Sequence, residues 1–449
     1  MTTRHVFVFP YPLYLMKTDV CLRDFVNNFI EIIIGKVVRK MKKNKKTKRL
    51  LPIILLLVAL VFTACGKSSE EKKESTEAKV EEKVEKKVEE KTEEIVEEKT
   101  EEKVEKKEKE TKKKEEEPVE ETTDTTREFT DSTGRTVTIP AEITKIAVSG
   151  PLTQIYVLPL CPEMMVGFAS EFSEEASIYI PEEYLDLPKL GQLYGGKGEM
   201  DLEALLAAAP DVVIDVGEAK KTIVEDMDSL TEQTGIPFVH IDATVATAPE
   251  AYRKLGELTG NTEKAEELAE WCEKTYTMIT EMMEKVDAEG DRKTLLYCLG
   301  DSGTNVIAEG SFHAESINLM STNLAVIEDV VPSGGGNEVD IEQIMNWDPE
   351  FIVFGPESIY DTVGSESSWS GVTAINTGNF YQTPSGPYGW LSSPPSVQRY
   401  LGLLWLGELL YPDYTEYDLK AEVTDYYELF YDCDLTDEMY DDLVENALP

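Results

Sequence analysis

The chain has 449 residues and carries 44 Lys and Arg against 87 Asp and Glu, a formal net charge of −43. Residues 128–449 alone hold 15 Lys and Arg against 60 Asp and Glu, which argues against nucleic acid, a partner held through basic surface. Only 3 histidines occur in the whole sequence, too few for a site that gathers several imidazoles around a bare zinc or manganese ion.

The first 127 residues differ in kind from the rest. Met41 to Arg49 is strongly basic, and Leu50 to Phe62 is an apolar core of signal-peptide length. Its 13 residues are too few to cross a hydrocarbon layer about 30 Å thick. Thr63, Ala64, Cys65 and Gly66 follow. They resemble a bacterial lipobox, which implies that Cys65 is lipidated and becomes the mature N-terminus; Phe62 departs from the aliphatic residue usual three places earlier. Residues 41–65 are therefore read as a lipoprotein signal peptide and 1–40 as an upstream extension, with Met41 the expected start. His5 and Cys21 then carry no function.

Residues 66–127 are nearly all Glu, Lys, Val and Thr. Val80, Val84, Val88, Val96 and Val104 recur at multiples of four, which drifts around a helix and holds no coiled-coil seam. Glu and Lys pairs four apart suit a solvated single helix, and the composition equally suits disorder. Either state is a spacer.

From Phe129 the pattern becomes globular. Alternation on both sides of Asp131-Ser132-Thr133-Gly134 reads as a hairpin ending at Ile139-Pro140, and Ile143 to Val148 as a strand. A glycine-dense loop, Gly191 to Gly198, follows. Such a loop lets backbone approach a ligand closely, so Tyr194 and Lys197 are candidate contacts. Asp201-Leu202-Glu203-Ala204-Leu205-Leu206 then precedes Pro210-Asp211-Val212-Val213-Ile214, a short amphipathic helix, a Pro stop and a buried parallel strand. Phe238 to Ile241 supplies another strand, with His240 read as packed core.

Thr262 to about Val286 reads as one long helix. Ala265, Leu268, Ala269, Cys272, Tyr276, Ile279, Met282, Met283 and Val286 form its apolar stripe, and Gly260-Asn261 and Gly290 bound it. Beyond it the earlier motif returns in register as Asp340-Ile341-Glu342-Gln343-Ile344-Met345 and Pro349-Glu350-Phe351-Ile352-Val353. The fold class expected is α/β, with two Rossmann-like lobes joined by the long helix and a ligand cleft between them. The N-terminal lobe spans 128–261, the linking helix 262–287, and the C-terminal lobe 288–449 with a helical cap carrying Tyr426, Tyr427, Phe430 and Tyr431.

The opening Asp131, Gly134, Arg135, Val137, Ile139 and Pro140, the Glu203 to Pro210-Asp211 motif, and the linking helix preceded by Leu258-Thr259-Gly260 together resemble bacterial substrate-binding lipoproteins for iron-siderophores and cobalamin. The resemblance covers residues 128 to about 412. It implies the extracytoplasmic, lipid-anchored solute-binding subunit of an ABC importer, a monomer working with a permease dimer and its ATPase. A ferric siderophore or related metal chelate is the first expectation; corrinoid or haem binding, or a non-transport surface sensor or adhesin, are the alternatives. No resident cofactor or metal is expected.

In that family the loop Glu309 to Ala314 faces the cleft, which nominates Ser311, Phe312 and His313. The Pro- and Gly-dense stretch Pro384 to Pro395 lines the cleft mouth and nominates Tyr388 and Trp390. Tyr360 lies in a further loop at a strand end. Arg399, the sole Arg after Arg292, is either a contact for a ligand anion or a helix Arg paired with a carboxylate. Glu203 and Glu342 match the family's permease-docking glutamates, with simple helix capping the other reading. Cys161, Cys272, Cys298 and Cys433 lack paired short spacing and are read as buried thiols. Catalysis is not expected, because no nucleophile elbow, His-Glu-x-x-His or cysteine cluster occurs.

Overall fold

The computed structural model describes residues 125–449, apart from 171, 173 and 195–198. The upstream extension, the signal peptide with Cys65, nearly all of the spacer, and Lys197 lie outside the described residues.

The first element is the hairpin of β1 (Thr126–Thr130) and β2 (Thr136–Pro140), paired antiparallel. Its turn closes on one carboxylate: Asp131 Oδ1 accepts from Thr133 N at 2.9 Å, Thr133 Oγ1 at 2.6 Å and Arg135 N at 3.1 Å. Gly134 sits at φ +83 in the left-handed region that completes the turn.

In the N-terminal lobe, β3 (Ile146–Val148), β4 (Val212–Gly217) and β5 (Phe238–Asp242) form a parallel sheet in the order β3-β4-β5. Every residue of β3 and β4 is buried, as a parallel strand covered on both faces demands. Around it stand α1 (Pro151–Val157), α2 (Leu202–Ala208), α3 (Ile223–Thr234) and α4 (Ala248–Thr259).

The linking helix α5 runs over Thr262–Glu289, from Asn261 to a left-handed Gly290. Ala265, Leu268, Ala269, Cys272, Ile279, Met282, Met283 and Val286 are buried along it, joined by Trp271 and Thr275; Tyr276 is half-buried. It packs closely on α4, where a Cβ at Gly256 would lie 2.5 Å from the Ala265 Cβ. Only glycine at position 256 lets the two helices approach that far.

The C-terminal lobe contains β6 (Thr294–Leu299), β7 (Asn305–Val306), α6 (Glu315–Met320), β8 (Thr322–Asn323), β9 (Asn337–Glu338), α7 (Ile341–Trp347) and β10 (Phe351–Phe354). After them come α8 (Tyr360–Val363), α9 (Thr373–Thr377), β11 (Phe380–Gln382) and α10 (Arg399–Leu410). Its sheet runs β11-β10-β6-β7-β9, with β8 also pairing β6. The pairs β10–β11, β6–β10 and β6–β8 are parallel, whereas β7 pairs β6 and β9 antiparallel.

The fold is thus α/β, with two lobes carried on one long helix. The C-terminal helices α11 (Leu419–Tyr431) and α12 (Asp437–Val444) close over the junction. Tyr426 stacks on Phe430 at 4.1 Å, both meet Trp271 of α5 edge-on, and Phe430 also reaches Tyr252 of α4. These rings lie in the main buried core, which extends through both lobes and the linking helix.

The repeated motif folds the same way twice. Helices α2 and α7 begin after Asp201 and Asp340 and end at left-handed Ala209 (φ 47) and Asp348 (φ 42), each followed by the motif's Pro. The next acid then ties the start of the adjacent strand. Asp211 Oδ2 accepts from Thr144 N at 2.7 Å and Lys145 N at 2.9 Å, and Glu350 Oε2 accepts from Thr294 N at 2.9 Å.

Candidate functional site

In a parallel sheet the loops leaving the C-terminal strand ends are where ligands meet the fold. In this chain, loops of that kind from the two lobes touch along a seam. On the N-terminal side α1 presents Gln154, which is buried because its amide is fully engaged: Oε1 accepts from Ala169 N at 3.0 Å, and Nε2 donates to the Tyr388 hydroxyl at 3.1 Å. Phe172 approaches the same ring, with centroids 6.4 Å apart. Burial raises the Tyr388 phenol above its ordinary value, so it stays neutral and can donate or accept.

Opposite lies the loop Ser311 to Ala314. Ser311 is buried and accepts from His313 N at 3.2 Å, capping a single turn that leads into α6. His313 Nδ1 lies 3.1 Å from the Ser392 carbonyl, which ties this loop to the Tyr388 loop. Burial pushes the imidazole below its ordinary value; the Ser392 carbonyl opposes this, and the charges of Arg399 and of Lys220 across the seam reinforce it. His313 is therefore a neutral polar group near pH 7.

Arg399 lies at the base of this loop, 1% exposed. Its guanidinium pairs with Glu315 Oε2 at 2.5 Å, donates to the carbonyls of Phe312 and Ser396 at 3.2 Å each, and stacks 4.7 Å from the Phe312 ring. Of the two readings the sequence left open, this arrangement has the paired carboxylate, in the interior and not on a helix surface.

Other predicted contacts are placed elsewhere. Trp390 is completely buried in the main core and offers no surface to a ligand. Tyr360 packs on Phe354 and Phe380 at 6.4 and 5.8 Å, in the outer apolar cluster of the C-terminal lobe. Tyr194 turns its hydroxyl to Asp226 Oδ2 at 2.8 Å. Burial, then that hydrogen bond, raises its phenol. Ser311, Phe312 and His313 share one loop, which the Ser392 carbonyl ties to the segment carrying Tyr388.

Sequence reasoning missed Gln154, Glu315 and the loop residue Val245. Gln154 sits among apolar neighbours with no periodic signal. Glu315 was detectable only as an acid two residues after His313. A second buried polar chain was also missed: Ser149 Oγ bonds Asp215, whose Oδ2 lies 2.6 Å from His240 Nδ1, while His240 Nε2 lies 2.9 Å from Asp242 Oδ1. Asp215 and His240 are register partners across β4 and β5. An acid and a histidine interrupting two adjacent apolar strands was the available sign. Surface cavities of about 410 Å³, beside Tyr184 and Phe430, and about 570 Å³, beside Arg127 and Asn261, hold none of the predicted contacts.

Fold and seam together define a two-lobe α/β protein carried on one linking helix. Residues 174–387 match the family described as "Periplasmic binding protein". It is 27% identical to the ABC transporter solute binding protein of Sulfurospirillum deleyianum, covering 71% of this chain and 99% of that one with a TM-score of 0.64. The periplasmic solute binding protein of Veillonella parvula is 23% identical, with coverages of 72% and 98% and a TM-score of 0.60. The molybdate-binding protein MolA of Haemophilus influenzae is 23% identical over 339 residues, 68% of this chain and 91% of MolA. Its molybdate-bound structure gives a TM-score of 0.57 at 19% identity, over 69% of this chain and 99% of that one.

Proposed function

We propose that this chain is the extracytoplasmic solute-binding subunit of an ABC importer, and that it captures a ferric siderophore or related metal chelate between its lobes for delivery to the permease. The match to that family supports the first part, as does the likeness to the Sulfurospirillum ABC transporter solute binding protein. The observation that carries the second is the chemistry of the seam. Tyr388, Phe172 and the neutral His313 offer aromatic and hydrogen-bonding surface, while the one guanidinium there is neutralised by Glu315. A chelate brings its own metal ligands and needs only such contacts, whereas a free metal ion needs three or more donors from the protein. Among the described residues no group of three His, Cys, Asp or Glu is placed to supply them. No resident cofactor is needed. Anchoring through Cys65 and action as a monomer complete the proposal.

A thermal-shift panel on the full chain tests the substrate class. The panel comprises ferric siderophores, haem, corrinoids, molybdate and simple metal salts. A stabilising shift with one ferric chelate, confirmed by titration and lost in Tyr388→Ala, is the expected result. Saturable binding of molybdate or of a bare metal ion instead overturns the chelate reading, and a shift with haem or a corrinoid alone moves the protein to that macrocycle.

A further inference from the structure

Val245, in the loop after β5 of the N-terminal lobe, is 5% exposed and is gripped on both faces of its backbone by the other lobe. Its N–H donates to Glu315 Oε2 at 3.2 Å, and its carbonyl accepts from the Tyr400 hydroxyl at 2.6 Å. The same Glu315 oxygen takes Arg399 at 2.5 Å, and Arg399 in turn holds the Phe312 carbonyl at 3.2 Å. One continuous set of charge-assisted contacts therefore runs from the Ser311–His313 loop, through Arg399 and Glu315, to the backbone of the opposite lobe.

We propose that Arg399 and Glu315 are positioning residues that clasp the two lobes at Val245 and set the angle at which the binding loops face each other. The inference rests on the inter-lobe binding reading only for its purpose, since the clasp itself is defined without a ligand. Arg399 suits the role for physical reasons. A planar guanidinium can serve a carboxylate, two carbonyls and a ring face at once, which an ammonium cannot. Arg399 is 1% exposed and the Glu315 side chain 26% exposed, so removing the Glu315 charge leaves a buried guanidinium without compensation. Tyr400, adjacent in sequence to Arg399, takes the carbonyl of Val245, so α10 supplies both the guanidinium of the pair and the donor to that carbonyl. Two other bonds along the seam, Ser396 Oγ to the Leu152 carbonyl at 2.9 Å and Gln154 to Tyr388 at 3.1 Å, are single contacts between neutral groups.

The test uses the full chain without ligand. Spin labels are placed at Glu225 on α3 and Gln343 on α7, both exposed, after Cys433→Ser removes the half-buried thiol. Glu315→Gln keeps the shape of the side chain but loses the charge. It is expected to broaden the inter-lobe distance distribution. It should also speed hydrogen exchange in segments 243–247 and 311–314 by about tenfold or more, the factor matching one lost hydrogen bond to a charged group, while exchange in β4 and β6 stays at the wild-type rate. Tyr400→Phe, a milder change, should broaden the same distribution and speed segment 243–247 only. Uniform acceleration across the chain, or an unchanged distance distribution in both variants, overturns the proposal and leaves an ordinary buried ion pair. A lobe angle that responds as expected in a protein that binds no chelate leaves the clasp standing and removes the ligand reading alone.

Discussion

Asp131 shows how much one carboxylate can hold. It is 2% exposed and accepts from Thr133, from the Arg135 backbone and from the Arg135 guanidinium at 2.9 Å, and that guanidinium also reaches the Phe238 carbonyl of β5. Burial works to raise its pKa, but hydrogen bonds from Thr133 and Arg135 outweigh it and hold the carboxyl below its ordinary value. A depressed carboxyl contributes stability that is present above the unfolded value, near 3.9, and lost as pH falls through the folded one. Asp131→Asn should cost about 2 kcal/mol in urea unfolding at pH 7, and the gap from wild type should narrow below pH ~4; a gap constant with pH contradicts the account. His240 has the opposite sign. Burial alone would lower it, yet Asp215 and Asp242 at its two nitrogens raise it. Its contribution is therefore complete below the unfolded value near 6.5 and lost as pH rises through the folded value. The advantage of wild type over His240→Gln should accordingly be larger at pH 6 than at pH 9, as read by the urea midpoint. The two residues differ in legibility. Asp131 was visible in the Asp-x-x-Gly-Arg spacing, whereas the role of His240 depends on Asp215 being its neighbour across two strands, which only the folded register supplies.

At the scale of elements, apolar runs and their stops carried most of the information. The runs at Val212–Gly217 and Phe351–Phe354 became buried parallel strands, and the stripe of the linking helix was readable over its length. The strands β8, β9 and β11 were not legible, since two or three residues of mixed polarity have no period to detect. Within the candidate site the same limit applies. Ser311, His313 and Tyr388 were nominated through the family resemblance, since the irregular segments that carry them have no period of their own. The partners of Arg399 lie 84 and 87 positions away in sequence, at Glu315 and Phe312, and no local pattern points to them. The doubled motif is the instructive case, because the acid after its Pro proves to be a strand tie and not a surface ornament. Asp211→Ala and Glu350→Ala should each lower stability by about 1 kcal/mol. The two losses should add to within about 0.5 kcal/mol, because each acts within its own lobe and they share no partner. A strongly non-additive pair in urea titrations would show instead that the lobes unfold as one tightly coupled unit around these positions.

For the molecule as a whole, the remaining pair from that motif is the most informative. Glu203 and Glu342 occupy the first turns of α2 and α7, one on each lobe, and both are exposed. Capping does not account for Glu203, because Asp201 already accepts from the N–H groups of Glu203 and Ala204. Neither Glu203 nor Glu342 uses its carboxylate in a hydrogen bond or ion pair among the described residues. Both side chains therefore stand exposed and unpaired on an already acidic surface. We propose that they dock onto basic residues of the two permease subunits. A capping loss would lower stability by about 0.5 to 2 kcal/mol, whereas losing a close interface charge pair weakens association by about 1.5 to 7 kcal/mol. Glu203→Ala combined with Glu342→Ala is therefore expected to leave the melting temperature and ligand affinity near wild type while abolishing uptake, with each single variant partly impaired. Uptake is measured in cells whose only copy is the variant, alongside surface abundance. Normal uptake by the double variant removes the docking role. A fall in melting temperature that accounts for the lost uptake returns both residues to local helix stability.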